Sequence, residues 1–482
     1  MQFNSFAFFG FFAAVFALYW ALPARRRMPV LALASAAFYA AFGPVYLALL
    51  AGLSAAVWAM GLWLGRRATR RRLALALCIC LVPLALFKYC NAMLDVLTGL
   101  SGALRAAFAP LYLPWAAPAG ISYYTFQMVS YLVDIYRGRL QPARRFLPLA
   151  LSFGLFLQVT AGPLTRPRDL LPALQKERAF NCRAASSGAQ LALWGLCKKV
   201  VMADTLNYYT AAVFADPQKL HGFSLVIVVL FYAVQIYADF SGYTDMARGL
   251  GAMLGLELAE NFRAPYFAPS IKEFWNRWHI SLSGWLKEYV YIPLGGSRVG
   301  KARHCFNLFA TFVVSGLWHG ANAPMLAWGA LHGAYMVAGT LTAGVRSRLW
   351  AVLPLRREGP AGRVFSAGVT FCLVCLGWIF FASPNWANAV YILTHLFYDF
   401  VPGVNYLKES VVLLGLTVPA CVRFAVQFAA LFAVELAAAR TGYAVWLAAR
   451  RPWFQAALSY VWAAALVLWG NIGGGSFMYF RF

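Results

Sequence analysis

Residues 315–322, with the sequence SGLWHGAN, place His319 between two glycines at the end of a long apolar run. That run, residues 306–314, is predicted to lie in lipid or in a packed bundle of helices, where an imidazole needs either a partner or a task. Taken alone, His319 fits two interpretations: a reaction centre, or a core histidine that donates to a backbone carbonyl. We favour the reaction centre because of the motifs that lie upstream.

The composition predicts an all-α, polytopic membrane protein. Of the 482 residues, 62% are hydrophobic and only 12% are charged, so a single soluble core is not a sensible fold. We expect about eleven or twelve membrane segments, some of them re-entrant or interfacial. The apolar runs are residues 6–22, 30–42, 45–64, 73–87, 121–136, 146–164, 185–214, 225–240, 325–341, 364–381, 424–439 and 453–468. The first run lacks a basic flank before it, so we expect it to stay in the mature protein.

The net charge of +25 is distributed in short clusters between the apolar runs. The clusters include Arg25, Arg26, Arg27, Arg66, Arg67, Arg70, Arg71, Arg72, Arg137, Arg139, Arg144, Arg145, Arg356 and Arg357. This is the positive-inside pattern of a membrane protein, and the aromatic residues lie inside the spans, so we exclude nucleic acid as a partner. The run 146–164 breaks the alternation of sides: either it is re-entrant, or the basic residues after it hold phosphates.

Residues 271–289 carry apolar side chains at three- and four-residue intervals, with charged residues on the other faces. This spacing predicts an amphipathic helix that lies at the membrane surface or packs on the bundle. His279 falls on the flank of the apolar stripe, from which its side chain can point inward.

Several motifs in order resemble the membrane-bound O-acyltransferase family. They are YADFSGYTDMA at 237–247, ENF at 260–262, EFWNRWHISLS at 273–283, YIPLGG at 291–296 and GLWHGA at 316–321, with supporting stretches at 118–127, 161–167, 198–204 and 477–482. The chain is most similar to the branch that contains the alginate O-acetyltransferase membrane subunit and its relatives in cellulose, peptidoglycan and teichoic-acid modification. We see no internal repeat and expect residues 1–482 to form one membrane domain, with the signatures at about 118–335 and a less marked part at 343–482.

The resemblance implies a central tunnel, in which an acyl group passes from a cytoplasmic thioester donor to a hydroxyl acceptor on the far side. It also implies that His319 is catalytic and that His279 assists it. An imidazole titrates near neutral pH and suits the base that acyl transfer needs. Around these two histidines we expect tunnel-lining or supporting residues, namely Trp318, Asp239, Asp245, Trp278, Arg277, His332 and Asn322.

Each supporting role has a structural alternative. His332 either supports the site or is a core residue, and for Asp239 and Asp245 we favour ion pairs with Arg248 or Arg277 over a place at the tunnel mouth. Lys198, Lys199 and Arg166 are predicted to hold donor phosphates, although lysines that extend toward an anionic leaflet explain the pattern equally well.

Other chemistries fit the sequence poorly. His279, His319 and His332 are 40 and 13 residues apart, which matches no short metal-ligand motif, so we expect no metal. No G-x-S-x-G elbow is present. Cys372 and Cys375 have C-x-x-C spacing inside an apolar run, and we expect packing rather than redox use or disulfides.

The sequence thus predicts an O-acetyltransferase of the bacterial inner membrane that modifies an exported polysaccharide. We expect acetyl-CoA as the donor, no permanently bound cofactor, and a periplasmic or extracytoplasmic acetyltransferase as partner. Two alternatives stay open. One is D-alanyl transfer from a carrier protein to a cell-wall polymer, and the other is a transporter in which the histidines relay protons.

Overall fold

A computed structural model describes residues 1–99, 116–352, 356, 358–401, 403–470, 472, 473, 475, 477 and 478. In this part of the chain all regular structure is helical, apart from one isolated antiparallel bridge between Phe262 and Trp278. The predicted all-α class is therefore confirmed. Arg357 and the last four residues of the motif at 477–482 lie outside the described residues.

The chain forms two compact units. The first comprises residues 1–192 and 243–259, and the second comprises residues 193–242 and 260–478. Helices that begin in the first unit are Phe6–Ala21, Ala24–Ala40, Pro44–Arg66, Arg70–Gly99, Ile121–Tyr136, Phe146–Gly154, Pro167–Gln175 and Cys182–Cys197.

The remaining helices begin in the second unit. They are Asp204–Ala215, Phe223–Met253, Ile271–Arg277, Ile280–Leu286, Lys301–His319, Ala323–Leu341, Ala343–Val352, Pro360–Ala382, Trp386–His395, Val404–Leu413, Val418–Ala438, Tyr443–Ala448 and Pro452–Trp469. Short 3-10 turns occupy Pro217–Lys219 and Pro265–Phe267, and π-helical turns occupy Lys198–Ala203 and Lys287–Tyr291. The single domain and the central tunnel that we expected stay predictions.

Six of the described helices are long and apolar enough to cross a membrane. They are Pro44–Arg66, Arg70–Asp95 within its longer helix, Phe223–Met253, Pro360–Ala382, Val418–Ala438 and Pro452–Trp469. This agrees with a polytopic membrane protein. Other predicted runs form shorter helices, such as Phe6–Ala21 with 16 residues, so the number of crossings stays a prediction.

The first unit is built around the helix Ile121–Tyr136, of which nearly every side chain is buried. It begins directly after Gly120, whose φ of +75° is a left-handed conformation that glycine adopts at little cost. A Cβ atom at Gly61 would lie 2.7 Å from the ring of Tyr131, so the helix Pro44–Arg66 approaches closely because residue 61 has no side chain.

The run at 146–164 forms a helix over only half of its length. The helix Phe146–Gly154 ends after nine residues, and residues 155–165 continue as buried turns and irregular backbone. Non-helical backbone at membrane depth is tolerated where protein surrounds it. This arrangement is consistent with the re-entrant alternative and not with one continuous span.

The second unit contains a helical hairpin, Lys301–His319 followed by Ala323–Leu341, whose two arms pack along each other. Glycines face each other across it. A Cβ at Gly329 would lie 2.5 Å from the carbonyl oxygen of Phe312 and 3.1 Å from the Cα of Gly316, and a Cβ at Gly333 would meet Phe309. Small residues therefore allow the two backbones to touch, as in other closely packed membrane helices.

The amphipathic helix predicted over 271–289 is wrong as a single element. Two seven-residue helices, Ile271–Arg277 and Ile280–Leu286, are separated by Trp278 and His279, and a π-helical turn follows. The apolar side chains of this segment are covered by protein within the second unit: Phe274 and Trp278 are each 1% exposed. The helix breaks because residues 261–263 pair with it at this point, which the spacing of apolar residues does not reveal.

Candidate active site

His319 is the last residue of the helix Lys301–His319. Gly320 follows in extended conformation and its N–H donates to the carbonyl of Gly316. The next helix then starts at once: Asn322 caps it by accepting from the N–H of Met325 at 2.9 Å, and Pro324 occupies its first turn. The histidine is thus held at a two-helix corner in which both helix ends are satisfied locally.

Aromatic side chains enclose the His319 ring, which is only 3% exposed. Its ring centroid lies 4.8 Å from Trp318, 5.0 Å from Trp328 and 5.1 Å from Phe381, each in an edge-to-face arrangement. These contacts fix the plane of the imidazole and keep bulk water away from it. The orientation of the imidazole is thus set by protein side chains.

His279 holds a left-handed backbone conformation with φ of +44°. Backbone hydrogen bonds to residues 261–263 hold the chain on both sides of it: the N–H of Ile280 donates to the carbonyl of Asn261 at 3.0 Å, and the N–H of Arg263 donates to the carbonyl of Arg277 at 3.0 Å. A non-glycine residue in this region is uncommon, and such outliers concentrate at functional sites.

The His279 ring is 1% exposed and lies 4.7 Å from the ring of Phe240 and 6.2 Å from that of Trp318. Trp318 is therefore a ring neighbour of both His279 and His319. His279 stands between two helices that are too short to span a membrane, and burial lowers the pKa of its imidazole to about 3. The ring is neutral near pH 7, so one of its nitrogens donates and the other accepts.

His332 is fully buried and accepts a hydrogen bond at Nδ1 from Nε1 of Trp275, at 3.3 Å. The bond places the proton of a neutral ring on Nε2. Nε2 faces the backbone at Gly377, where a Cβ would lie only 2.7 Å away. The ring centroid of Trp328 lies 5.2 Å from that of His332 and 5.0 Å from that of His319, so the two histidines pack on the same indole.

The other predicted supporting residues in the second unit have structural contacts. Trp278 packs among aromatic rings, with Trp378 at 4.9 Å and Phe274 at 5.4 Å. Nε of Arg277 donates to Glu273 at 2.9 Å. Asn322 is exposed and acts as a helix cap. Their role in lining a tunnel stays a prediction, whereas Trp318 directly contacts His319.

Lys198 and Lys199 lie in the π-helical turn Lys198–Ala203 and are each 1% exposed. Nζ of Lys199 lies 2.7 Å from carboxylate oxygens of both Asp204 and Asp239, and Nζ of Lys198 lies 3.8 Å from Glu435. The donor-phosphate role stays a prediction. The ion pairs argue against it, because a phosphate would have to compete with these carboxylates, and the burial of both side chains argues against lysines that extend toward a lipid leaflet.

Asp239, Asp245 and Arg166 are distributed over both units. Asp239 pairs with Lys199 and not with the arginines that we expected. Asp245 lies 3.5 Å from Arg248, as the sequence predicted. Arg166 belongs to the first unit, is half-buried and precedes the helix Pro167–Gln175; its contact with a donor stays a prediction.

Sequence reasoning missed three residues that shape the site: Trp328, Phe381 and Gly329. The first two pack on the His319 ring, and Gly329 allows the hairpin to close. The G-x-x-x-G spacing of Gly329 and Gly333 in an apolar helix was the available signal for the close packing. No sequence signal places Phe381 beside His319, because the two are far apart in the chain.

The cysteines and potential metal ligands add little. All nine cysteines lie in the described part of the chain and none forms a disulfide, as predicted. Over the residues that the structure describes, no three His, Cys, Asp or Glu side chains gather as a metal site requires. That the protein needs no metal stays a prediction.

Comparison with known proteins addresses the family directly. The model of the membrane-bound O-acyltransferase family, MBOAT, matches residues 147–381, which include both His279 and His319. A probable alginate O-acetylase, AlgI, of Pseudomonas syringae pv. tomato is 37% identical over 392 residues, covering 80% of this chain and 73% of the relative. The chain belongs to the membrane-bound O-acyltransferase family.

Two further relatives show the range of this family around the chain. A peptidoglycan O-acetyltransferase of Helicobacter pylori is 31% identical over 420 residues, covering 80% of this chain and 77% of the relative. A teichoic acid D-alanyltransferase of Bacillus subtilis is 27% identical over 278 residues, covering 55% of this chain and 68% of the relative. The predicted family and enzyme class are confirmed: this MBOAT protein is an O-acyltransferase that crosses the bacterial inner membrane several times.

Proposed function

We propose that this MBOAT enzyme takes an acetyl group from acetyl-CoA on the cytoplasmic side and transfers it for O-acetylation of an exported polysaccharide such as alginate or cellulose. The observation that carries the proposal is the buried His319 ring at the corner of a glycine-packed hairpin, with His279 beside the same Trp318 ring. The names of the relatives support the acetyl group: one is an alginate O-acetylase and another a peptidoglycan O-acetyltransferase.

His319 acts as the general base in the proposed reaction. It takes the proton of the acceptor hydroxyl while the hydroxyl oxygen attacks the thioester carbonyl carbon; the C–S bond then breaks, and the proton passes to the leaving sulfur. A positioned base of this kind contributes about 10²- to 10⁴-fold to the rate. The aromatic enclosure supports the same role, since exclusion of water protects a thioester from hydrolysis.

His279 orients the substrate or donates to the thioester carbonyl. Its neutral imidazole carries one N–H, which can stabilise negative charge that develops on the carbonyl oxygen. The left-handed backbone at this residue fixes the direction of the side chain before substrate arrives. We also propose that an extracytoplasmic acetyltransferase partner completes the transfer of the acetyl group to the polymer. This partner is inferred from the resemblance to the alginate branch.

A transfer assay with purified protein in lipid tests the proposal. Acetyl-CoA labelled in the acetyl group should give labelled hydroxyl product with the natural chain, and His319→Ala should lower the rate by about 10²-fold or more. His221→Ala is the matched control, because His221 is exposed and outside the site; it should leave the rate unchanged. If His319→Ala and His221→Ala are both folded and His319→Ala has an unaltered rate, His319 is not the general base.

The donor is tested separately. The Bacillus subtilis relative is named a D-alanyltransferase, which supports D-alanine on a carrier protein as the second candidate. Labelled D-alanyl carrier protein in place of acetyl-CoA should give no product. Product from the carrier alone would replace the proposed donor, and movement of protons without any acyl donor would support the transporter alternative.

A further inference from the structure

A cationic cleft of about 920 Å³ lies within the first unit, and all of its lining residues belong to that unit. Six cationic side chains and one carboxylate, that of Glu177, line it. The cations are Arg25, Arg27, Arg144, Arg145, Lys176 and Arg178. Among the described side chains, none of the six has a carboxylate oxygen within 4.0 Å. Within the described part of the chain, no ion pair therefore neutralises these six cations.

Arg27 and Arg178 are held in place by contacts other than ion pairs. Nη1 of Arg27 donates to the carbonyl of Arg178 at 2.5 Å, and Nε donates to the carbonyl of Leu22 at 3.2 Å. The guanidinium of Arg27 also lies 4.7 Å from the ring of Trp20. Gly255, with φ of +74°, leaves room for the Arg178 stem, since a Cβ there would lie 2.7 Å from Cδ of Arg178. This part of the cleft is preorganised.

The opposite wall is equally fixed by its backbone. The N–H of Ala143 donates to the hydroxyl of Tyr131 at 2.9 Å, and the carbonyl of Ala143 accepts from Nε1 of Trp58 at 2.8 Å. Both backbone polar groups of the residue before Arg144 are thus bound to side chains of two helices of the first unit. Arg144 and Arg145 extend from this anchored backbone as exposed side chains.

The lining is apolar between the cations. Met28, Leu31, Leu147, Leu171 and Leu174 contribute to it. Phe146, beside the cleft, is also 36% exposed. A small soluble anion would contact only the cations and leave this apolar lining uncovered. A phospholipid presents a phosphodiester to the cations and acyl chains to the apolar lining. Guanidinium groups bind phosphate oxygens through paired hydrogen bonds.

We propose that this cleft binds the phosphodiester headgroup of an anionic phospholipid, with the guanidinium groups of Arg144, Arg145 and Arg178 on the phosphate and the apolar lining on the acyl chains. The surplus of five positive charges, six cations less one carboxylate, selects anionic over zwitterionic lipid. The bound lipid joins the loop at Arg144 to the chain at Arg178 and so stabilises the first unit.

Thermal unfolding of the full chain in a neutral detergent tests the site. Phosphatidylglycerol should raise the melting temperature in a saturable way, and phosphatidylcholine should not. In the variant Arg144→Gln/Arg145→Gln/Arg178→Gln the apparent Kd for phosphatidylglycerol should rise at least about tenfold.

The matched control is Arg66→Gln/Arg70→Gln/Arg71→Gln, which removes the same charge from exposed arginines outside the cleft lining. It should retain the affinity of the natural chain. An equal loss of affinity in the control would mean that net charge alone attracts phosphatidylglycerol, and it would overturn the proposed site. Inorganic phosphate is the second probe: if it raises the melting temperature as far as phosphatidylglycerol does, the ligand is a free phosphate and the lipid assignment is wrong.

Discussion

At the scale of a single residue, the backbone conformation of His279 bears on whether its imidazole only packs in the core or has a function. Left-handed φ costs an L-residue about 1 kcal/mol or more relative to glycine. If the side chain were only packing, a residue with less strain would serve as well. The imidazole is instead retained beside Phe240 and Trp318 at this cost.

Replacing His279 by glycine and by alanine should separate backbone strain from side-chain function. Both variants lose the ring, so both should lose most acetyl transfer. His279→Gly should nevertheless be more stable than His279→Ala by about 1 kcal/mol, because glycine adopts the conformation without strain. Unfolding in detergent and the transfer assay measure the two effects. Equal stability, or a more stable alanine variant, would mean that the backbone is not strained.

At the scale of an element, the hairpin that carries His319 depends on glycines for its close packing. Gly329→Ala should destabilise the protein by about 1–3 kcal/mol, because the new methyl meets the carbonyl of Phe312. Transfer activity should fall with it, since the corner at His319 shifts. Thermal unfolding and initial rates are the measurements.

Gly339 offers a control on the same helix. A Cβ there has no neighbour nearer than 4.0 Å, from Arg346. Gly339→Ala should therefore be neutral or stabilising by up to about 1 kcal/mol, as alanine favours a helix. If the two substitutions have the same effect, helix propensity and not interhelical contact governs the hairpin.

The sequence was informative about elements that depend on local spacing. The apolar run predicted at 325–341 is the helix Ala323–Leu341, and the run at 121–136 is a helix with the same bounds. The break at Trp278 and His279 could not be predicted, because its hydrogen bonds come from residues 261–263. A periodicity records which side chains are buried, and not which backbone groups a distant segment will bind.

At the scale of the whole molecule, buried charges tie distant parts of the second unit together. Lys199 bridges Asp204 and Asp239, and the N–H of Met478 donates to Asp239 at 2.9 Å. The ring of Phe477 lies 4.5 Å from the Lys199 ammonium. The sequence marked Lys199 and Asp239 as unusual charges, but only tertiary structure pairs them, since they lie on different helices.

Lys199→Met should destabilise the protein by about 3–5 kcal/mol, because it leaves two buried carboxylates without their cation. Lys198→Met should cost less, since Lys198 lies at a longer 3.8 Å from a partly exposed Glu435. Adding Asp204→Asn and Asp239→Asn to Lys199→Met should recover part of the lost stability, because neither carboxylate that lost its cation is then charged. Failure of this recovery would show that the lysine acts by packing and not by charge.

The π-helical turn at Lys198–Ala203 has a consequence for how homologous sequences are compared. A wide turn carries one residue more than an α-helical path between the same two ends. Deletion of one position there would leave a regular helix between the same two ends, and the side chains that remain inside the turn, those of Lys198 and Lys199 among them, would point in other directions about the axis. In an alignment, a one-residue gap at 198–203 therefore marks the loss of the lysine–carboxylate bridge, even where both lysines are retained.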